Sequence, residues 1–343
     1  MTLLAPYLSG FLREYLPQQR NLSPHTVAAY AHSFSLLVRF AADQLKCRPS
    51  GLNVEDLGAE LILAFLNHVE EERGNCARTR NSRLAAIRTF FGYIEYKAPS
   101  CLEQVVRIRA LPAKRTNTAL IDYLTIPEIQ ALLAAPDVRT PSGIRDRAML
   151  HLAYAAGLRA SELLSLRLED FPERSLATVH VLGKGRRERV LPLWRETQTT
   201  LRAWLAVRPP VRGSVLFLNR DGKAMSRDGF AHRLNGCVAI AAQKEPSIAL
   251  KKVTPHVLRH SCAMHTLAAT GDIRKVALWL GHASIQSTEA YLRADPTEKL
   301  AVLAAHAPPG IKQGKFRKPS DTLLAMLGDV LKPSPNYGDP AAG

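Results

Sequence analysis

The sequence predicts a mainly α-helical protein of two domains with one small antiparallel β-sheet. Its 343 residues suffice for two separately cored units at about 150 residues each. Apolar residues recur at helical spacing through the first hundred or so positions and again after 227, and the clearest strand-like alternation lies at 176–193. With 46% hydrophobic and 22% charged residues, the composition is that of a folded chain and excludes wholesale disorder.

A short apolar-rich helix is expected over about 4–16. Ser23 and Pro24 supply an N-cap and first-turn proline for a helix reaching about 45, in which Val27, Tyr30, Phe34, Leu37 and Phe40 share a face. Further helices at about 57–72 and 81–96 flank Gly74 and Asn75, making a four-helix bundle of 1–106. RIRALPAKRTN at 107–117 reads as an exposed basic linker within 107–122, and a second domain occupies 123–306.

In that second domain, Thr125 and Glu128 match a capping box that opens a helix at about 126, and another helix runs over about 144–156 before Gly157. LATVHVL, GKGRR and ERVLPL form two strands around a glycine-containing turn, with SVLFLN at 214–219 a candidate third strand. Helices follow at about 227–243, 255–269 (Thr254 as cap, Gly271 as stop), 272–280, 285–293 and 297–306. The 307–343 tail holds a linker and a short amphipathic helix at 321–331, whose Leu323, Leu324, Met326, Leu327 and Leu331 make an apolar stripe. Packing on its own domain is the more common fate of such a stripe, with a second protomer as the alternative.

Charge narrows the function classes. The 46 Lys and Arg against 30 Asp and Glu give +16, and the balance is 13 to 10 in residues 1–110 but 33 to 20 thereafter. The later portion therefore suits a polyanion, either nucleic acid or an anionic membrane surface. Cys47, Cys76, Cys101, Cys237 and Cys262 are odd in number and form no CxxC, which points away from a disulfide framework or zinc ribbon and fits a reducing cytosol. No apolar run reaches the roughly 18–20 residues of a membrane span, and MTLLAPYLSGFLREYL lacks a signal-peptide pattern, so a cytoplasmic, soluble protein is expected.

Four stretches are chemically loaded: GLRASEL at 157–163, GKGRRER at 183–189, HVLRH at 256–260 and LGH at 280–282, with Tyr291 nine positions after His282. In this order they resemble the tyrosine recombinases, the phage-integrase family that includes the Xer-type resolvases. The resemblance spans about 5–306. It implies a SAM-like helical core-binding domain followed by a tyrosine-recombinase catalytic domain. It also implies cleavage and rejoining of double-stranded DNA through a 3′-phosphotyrosine, in a tetrameric synapse of this chain, with related recombinases or accessory factors as further partners. Integration, dimer resolution and transposition of a mobile element are all compatible with that chemistry.

The residues can be weighed against the reaction itself, which needs a nucleophile, neutralisation of a growing phosphorane charge and an acid for the 5′ oxygen. Arg159 and Arg259 offer planar forks to the non-bridging oxygens, and His282 a third donor. Lys184, between two glycines at the hairpin tip and matching the family's hairpin lysine, is the expected general acid. His256 is the candidate for proton transfer or a hydrogen bond to phosphate, and Glu162 for orienting the basic cluster. Tyr291 is the expected nucleophile. Its phenol, with an ordinary pKa of about 10, needs the surrounding positive charge to favour the phenolate.

No cofactor is expected. GKGRRER lacks the spacing of a phosphate-binding P-loop, and His256, His260, Cys262 and His265 lack the glutamate of HExxH and sit beside Arg259. His260 and His265 read as packed or hydrogen-bonded helix residues and Cys262 as a buried small side chain. Lys114, Arg115, Arg186, Arg187, Arg220, Arg227, Arg233, Lys251 and Lys252 are the expected phosphate-backbone contacts. The rival functions are a topoisomerase of type IB character, using much the same residues on one duplex, and a DNA-binding regulator with a silent site.

Overall fold

Apolar spacing at the N-terminus builds α1, Leu4–Gly10, which runs on into a wider-turned π-helical segment, Phe11–Gln19. Pro17 lies in that segment and has no N–H for the ordinary i to i−4 bond. The computed structural model describes residues 2–116, 121–172, 175–183, 187–211, 213–282 and 284–294. The chain splits into two compact units, Met1–Ala119 and Leu120–Gly343.

In the first unit, α2 (Pro24–Leu45) starts where the sequence placed it, with Ser23 Oγ accepting from the Thr26 N–H at 3.3 Å. Helices α3 (Ala59–Glu71) and α4 (Ala77–Lys97) complete the bundle around buried Phe11, Phe34, Phe65, Phe90 and Phe91. The linker reading needs correction at its start, over 107–110. Residues 102–110 form a fifth helix, α5 (Leu102–Ala110), with Val105 and Ile108 fully buried three residues apart. Arg107 pairs with Glu60, Arg109 with Glu95, and Lys114 with Glu70, so these charges tie the segment to the first unit.

The second unit opens with α6 (Ile126–Ala134), in which the Thr125–Glu128 capping box is present, and α7 (Pro141–Ala155), capped by Thr140. After a short α8 (Ala160–Ser165), strands β1 (Thr178–Leu182) and β2 (Glu188–Pro192) pair antiparallel, Thr178 opposite Pro192 and Leu182 opposite Glu188. Val179, Val181 and Leu191 turn inward. Instead of a third strand, 214–219 makes only single bridges, Arg167 with Val215 and Leu218 with Ala224. A helix the alternation did not reveal, α9 (Arg195–Val207), buries Leu201 and Trp204 beside it, and the Trp204 indole donates to the Leu216 carbonyl at 2.9 Å.

Helices α10 (Arg227–Ala241), α11 (Pro255–Thr270), α12 (Ile273–Leu280) and α13 (Glu289–Ala294) follow close to expectation. Thr254 and Asp272 cap α11 and α12, and Gly271 and Gly281 end them in the left-handed region. The expected helix at 297–306 and the 307–343 tail lie outside the described residues. Among the described residues, no helix is long and apolar enough to cross a membrane.

Candidate active site

The site begins where α7 ends. Gly157 has φ +55°, and a Cβ there would stand 2.6 Å from Leu280 Cδ2, so backbone conformation and packing both favour glycine. The turn delivers Arg159 to the N-cap of α8. Its Nη1 donates to Glu162 Oε1 at 2.7 Å, and its backbone N–H to Oε2 at 3.1 Å. Glu162 is 4% exposed and also accepts from Arg189 Nη2 at 2.8 Å, with Arg259 Nη1 3.6 Å away. Burial pushes the Glu162 carboxyl up, but Arg189 and Arg159 together outweigh it and hold the group below the ordinary carboxylate range.

Arg259, on α11, is 3% exposed and fixed by two backbone carbonyls, Nη1 to Gly157 at 2.5 Å and Nη2 to Leu280 at 2.7 Å. Burial first, and then neighbouring Arg159, lower its pKa to about 10, which leaves it cationic at neutral pH. Arg189 crosses under Gly281, whose φ is +64° and where a Cβ would lie 3.0 Å from Arg189 Cδ. His282 follows. Its Nδ1 is 2.7 Å from the hydroxyl of fully buried Thr288.

Tyr291, on α13, is 2% exposed and packs with Ala263, Met264, Leu267, Val276 and Leu280. Its hydroxyl lies 3.0 Å from His260 Nδ1, and its ring stacks on His282 with centroids 6.4 Å apart. Burial pushes the phenol up to about 12, against the pull of Arg259 and Arg159. Arg259 and Arg159 do favour the phenolate, as expected, but desolvation is the larger effect here. Burial likewise pushes His282 and His260 down to about 4, helped by Arg259 in both cases, so both imidazoles are neutral near pH 7.

The structure thus gathers Arg159, Glu162 and Arg259 in one cluster and sets His282 against Tyr291. His256 is exposed, its ring 6.2 Å from that of His260. The residue that meets the tyrosine hydroxyl is His260, read from sequence as a packed or hydrogen-bonded helix residue. Arg189, the last residue of GKGRRER, joins the guanidinium cluster through Glu162 without a sequence-level role of its own. The available signal for each was its position inside a loaded stretch. Lys184 and Arg186 lie outside the described residues.

Three of the expected DNA contacts also form ion pairs within the chain, with Lys114 and Arg233 remaining exposed. Arg233 pairs with buried Asp146, Lys251 reaches Glu128 at 2.6 Å and the Tyr123 carbonyl at 3.0 Å, and Lys114 holds Glu70 at 2.6 Å. Arg115, Arg187, Arg220, Arg227 and Lys252 are exposed. The histidines of α11 diverge, since His265 Nδ1 meets the Tyr154 hydroxyl at 2.8 Å while His260 turns to Tyr291.

Residues 122–298 match the phage integrase family, and residues 9–96 match the phage integrase N-terminal SAM-like domain. The chain is 43% identical over 329 residues to the "Putative integrase/recombinase y4rC" of Sinorhizobium fredii, covering 95% of this chain and 98% of that protein. It is 33% identical over 285 residues to the tyrosine recombinase XerD of Listeria monocytogenes, covering 81% and 90%. In fold it matches the crystal structure of the XerH site-specific recombinase bound to a palindromic difH substrate, with TM-score 0.64 and 22% identity over 83% of this chain and 81% of that one. A family match across half of the chain, joined to a relative alike along nearly its whole length, means that the protein belongs to the phage integrase family and is a tyrosine-type site-specific DNA recombinase.

Proposed function

We propose that Tyr291 attacks a DNA phosphodiester to give a 3′-phosphotyrosyl link, and that the liberated 5′ hydroxyl, or that of a second strand, reverses the step. The Oη–P bond forms as the P–O5′ bond breaks; the phenol loses a proton and the 5′ oxygen gains one. Bond energy is conserved in the phosphotyrosine, and the reaction needs neither ATP nor metal. The observation that supports this reading is the tyrosine hydroxyl lying 3.0 Å from His260, with the phenol ring stacked on His282, within the field of Arg159 and Arg259.

Arg159 and Arg259 hold the non-bridging oxygens. Arg259 spends one N–H of each terminal nitrogen on a carbonyl and keeps others for phosphate. Thr288 engages Nδ1 of His282, which leaves Nε2 for the phosphate. Glu162 sets the spacing of the guanidiniums, Lys184 protonates the 5′ oxygen, and exposed His256 hydrogen-bonds phosphate. Arg115, Arg186, Arg187, Arg220, Arg227 and Lys252 grip the backbone of double-stranded DNA.

A tetrameric synapse of this chain is the working assembly. It is supported by the fold shared with a lambda integrase tetramer bound to a Holliday junction, TM-score 0.60 at 15% identity. The cytoplasm, where DNA and a reducing environment coincide, is the expected compartment. The test is Tyr291→Phe on nicked suicide duplexes: binding should persist and the covalent adduct vanish, whereas a full-strength adduct overturns the assignment. Joint products from two duplexes support recombination, and site-independent plasmid relaxation alone would favour a topoisomerase.

A further inference from the structure

We infer that His260 is a catalytic residue of this reaction, its Nδ1 receiving the Tyr291 hydroxyl proton as the bond to phosphorus forms and returning it on rejoining. The inference rests on Tyr291 being the nucleophile. Among the described residues, His260 is the one side chain hydrogen-bonded to the tyrosine oxygen, at 3.0 Å, and its ring meets the phenol edge-on at 60° with centroids 5.7 Å apart. That separation lies within the reach a general base requires.

The neighbouring groups are worse placed. Arg159 and Arg259 have no acceptor. His282 lies nearly parallel to the phenol ring, at 12°, so it presents its face to the tyrosine, and its Nδ1 is engaged by Thr288. His256 sits one helical turn from His260, exposed and without a contact to the hydroxyl.

The protonation states agree with the geometry. His260 is faced by His256 and Arg259 on its own helix, by Asp122 from the segment before α6, and by Tyr291 from α13. Burial, reinforced by His256 and Arg259, keeps its pKa at about 4, so it stands as a free base at neutral pH. The phenol, pushed up to about 12, is ionised in roughly one molecule in 10⁵ at pH 7 and needs an acceptor. Transfer from so weak an acid to so weak a base must accompany attack, when the charge of the phosphorane raises the imidazole. The proton passes from Oη to Nδ1, His260 becomes an imidazolium, and a separate acid protonates the 5′ oxygen.

The test uses the full chain on a nicked suicide duplex whose site is first identified by sequencing DNA captured covalently on the native protein. His260→Asn preserves a hydrogen-bonding group near Nδ1 but cannot take the proton; His260→Gln is the second variant should the first fail to fold. Both are checked by thermal unfolding and gel shift. Single-turnover cleavage should fall about 10²- to 10⁴-fold with binding kept. Placing a fluorinated, more acidic tyrosine at 291 should shrink that deficit at least tenfold. Cleavage within threefold of native, or a deficit unchanged by the fluorinated tyrosine, overturns the inference. An adduct formed by Tyr291→Phe instead defeats the nucleophile assignment beneath it.

Discussion

Around Glu162, Arg159 and Arg189 share one buried carboxylate with Arg259 3.6 Å away, whereas around Tyr291 the nearest polar groups are two imidazoles held neutral. The first cluster is charged and fixed before any substrate arrives: Arg259 is tied to the ends of α7 and α12, and Glu162 joins α8 to β2. The second is uncharged and sits in apolar packing from α11 and α12. The difference separates two tasks. Phosphate oxygens need preorganised positive charge, while a nucleophile stored as a phenol in a dry environment does not react until its proton has somewhere to go.

Removing the shared carboxylate should have the largest effect. Glu162→Gln leaves the buried guanidiniums without a counter-charge and should cost about 3–5 kcal/mol, measured by denaturant unfolding. Arg259→Lys comes next. It loses the fork that bridges two carbonyls, and cleavage of a suicide substrate should fall about 10²- to 10³-fold, with charge retained.

Acid separates the two ends. Glu162 has a depressed pKa, so its stabilising contribution is present above about pH 4.3, the unfolded value, and disappears as pH falls through the folded one. The imidazoles act earlier. His260 and His282 titrate at about 4 in the fold and near 6.5 unfolded, so stability should already decline between pH 6.5 and 4 as the unfolded state takes up protons. His282→Asn should flatten that upper limb in unfolding free energy against pH, and Glu162→Gln only the lower one.

Gly157→Ala should follow at about 1–3 kcal/mol, because it strains a left-handed residue and drives a methyl into Leu280. The smallest effect is expected for Arg115→Ala or Lys252→Ala, exposed and outside both clusters. Each should lower the slope of log affinity against log salt by about one and leave cleavage at saturating DNA unchanged.

Sequence legibility followed the same division. Features encoded locally were readable: the Ser23, Thr125 and Thr254 caps, the Gly271 stop, and a hairpin from alternating apolar residues. The order of motifs placed Arg159, Glu162, Arg259, His282 and Tyr291, which the structure brings into two adjoining clusters. Helix α5 was hidden because Arg107 and Arg109 look like linker charges until Glu60 and Glu95 come alongside from elsewhere in the chain. Four residues place His256 and His260 on one stripe of α11, one turn apart, and the turn that lies beside Tyr291 is set by tertiary packing. Lys251 and Arg233 look like any surface cation until buried Glu128 and Asp146 come within reach. Desolvation of the phenol was invisible for the same reason, because packing by Met264, Leu267 and Val276 is a tertiary fact.

The most direct test of this account is to trap the protein on nicked duplex, digest the complex with protease and nuclease, and locate the nucleotide-bearing residue by mass spectrometry. The account predicts a phosphonucleotide on the peptide containing Tyr291 and on no other. A linkage mapped to any different side chain would contradict it.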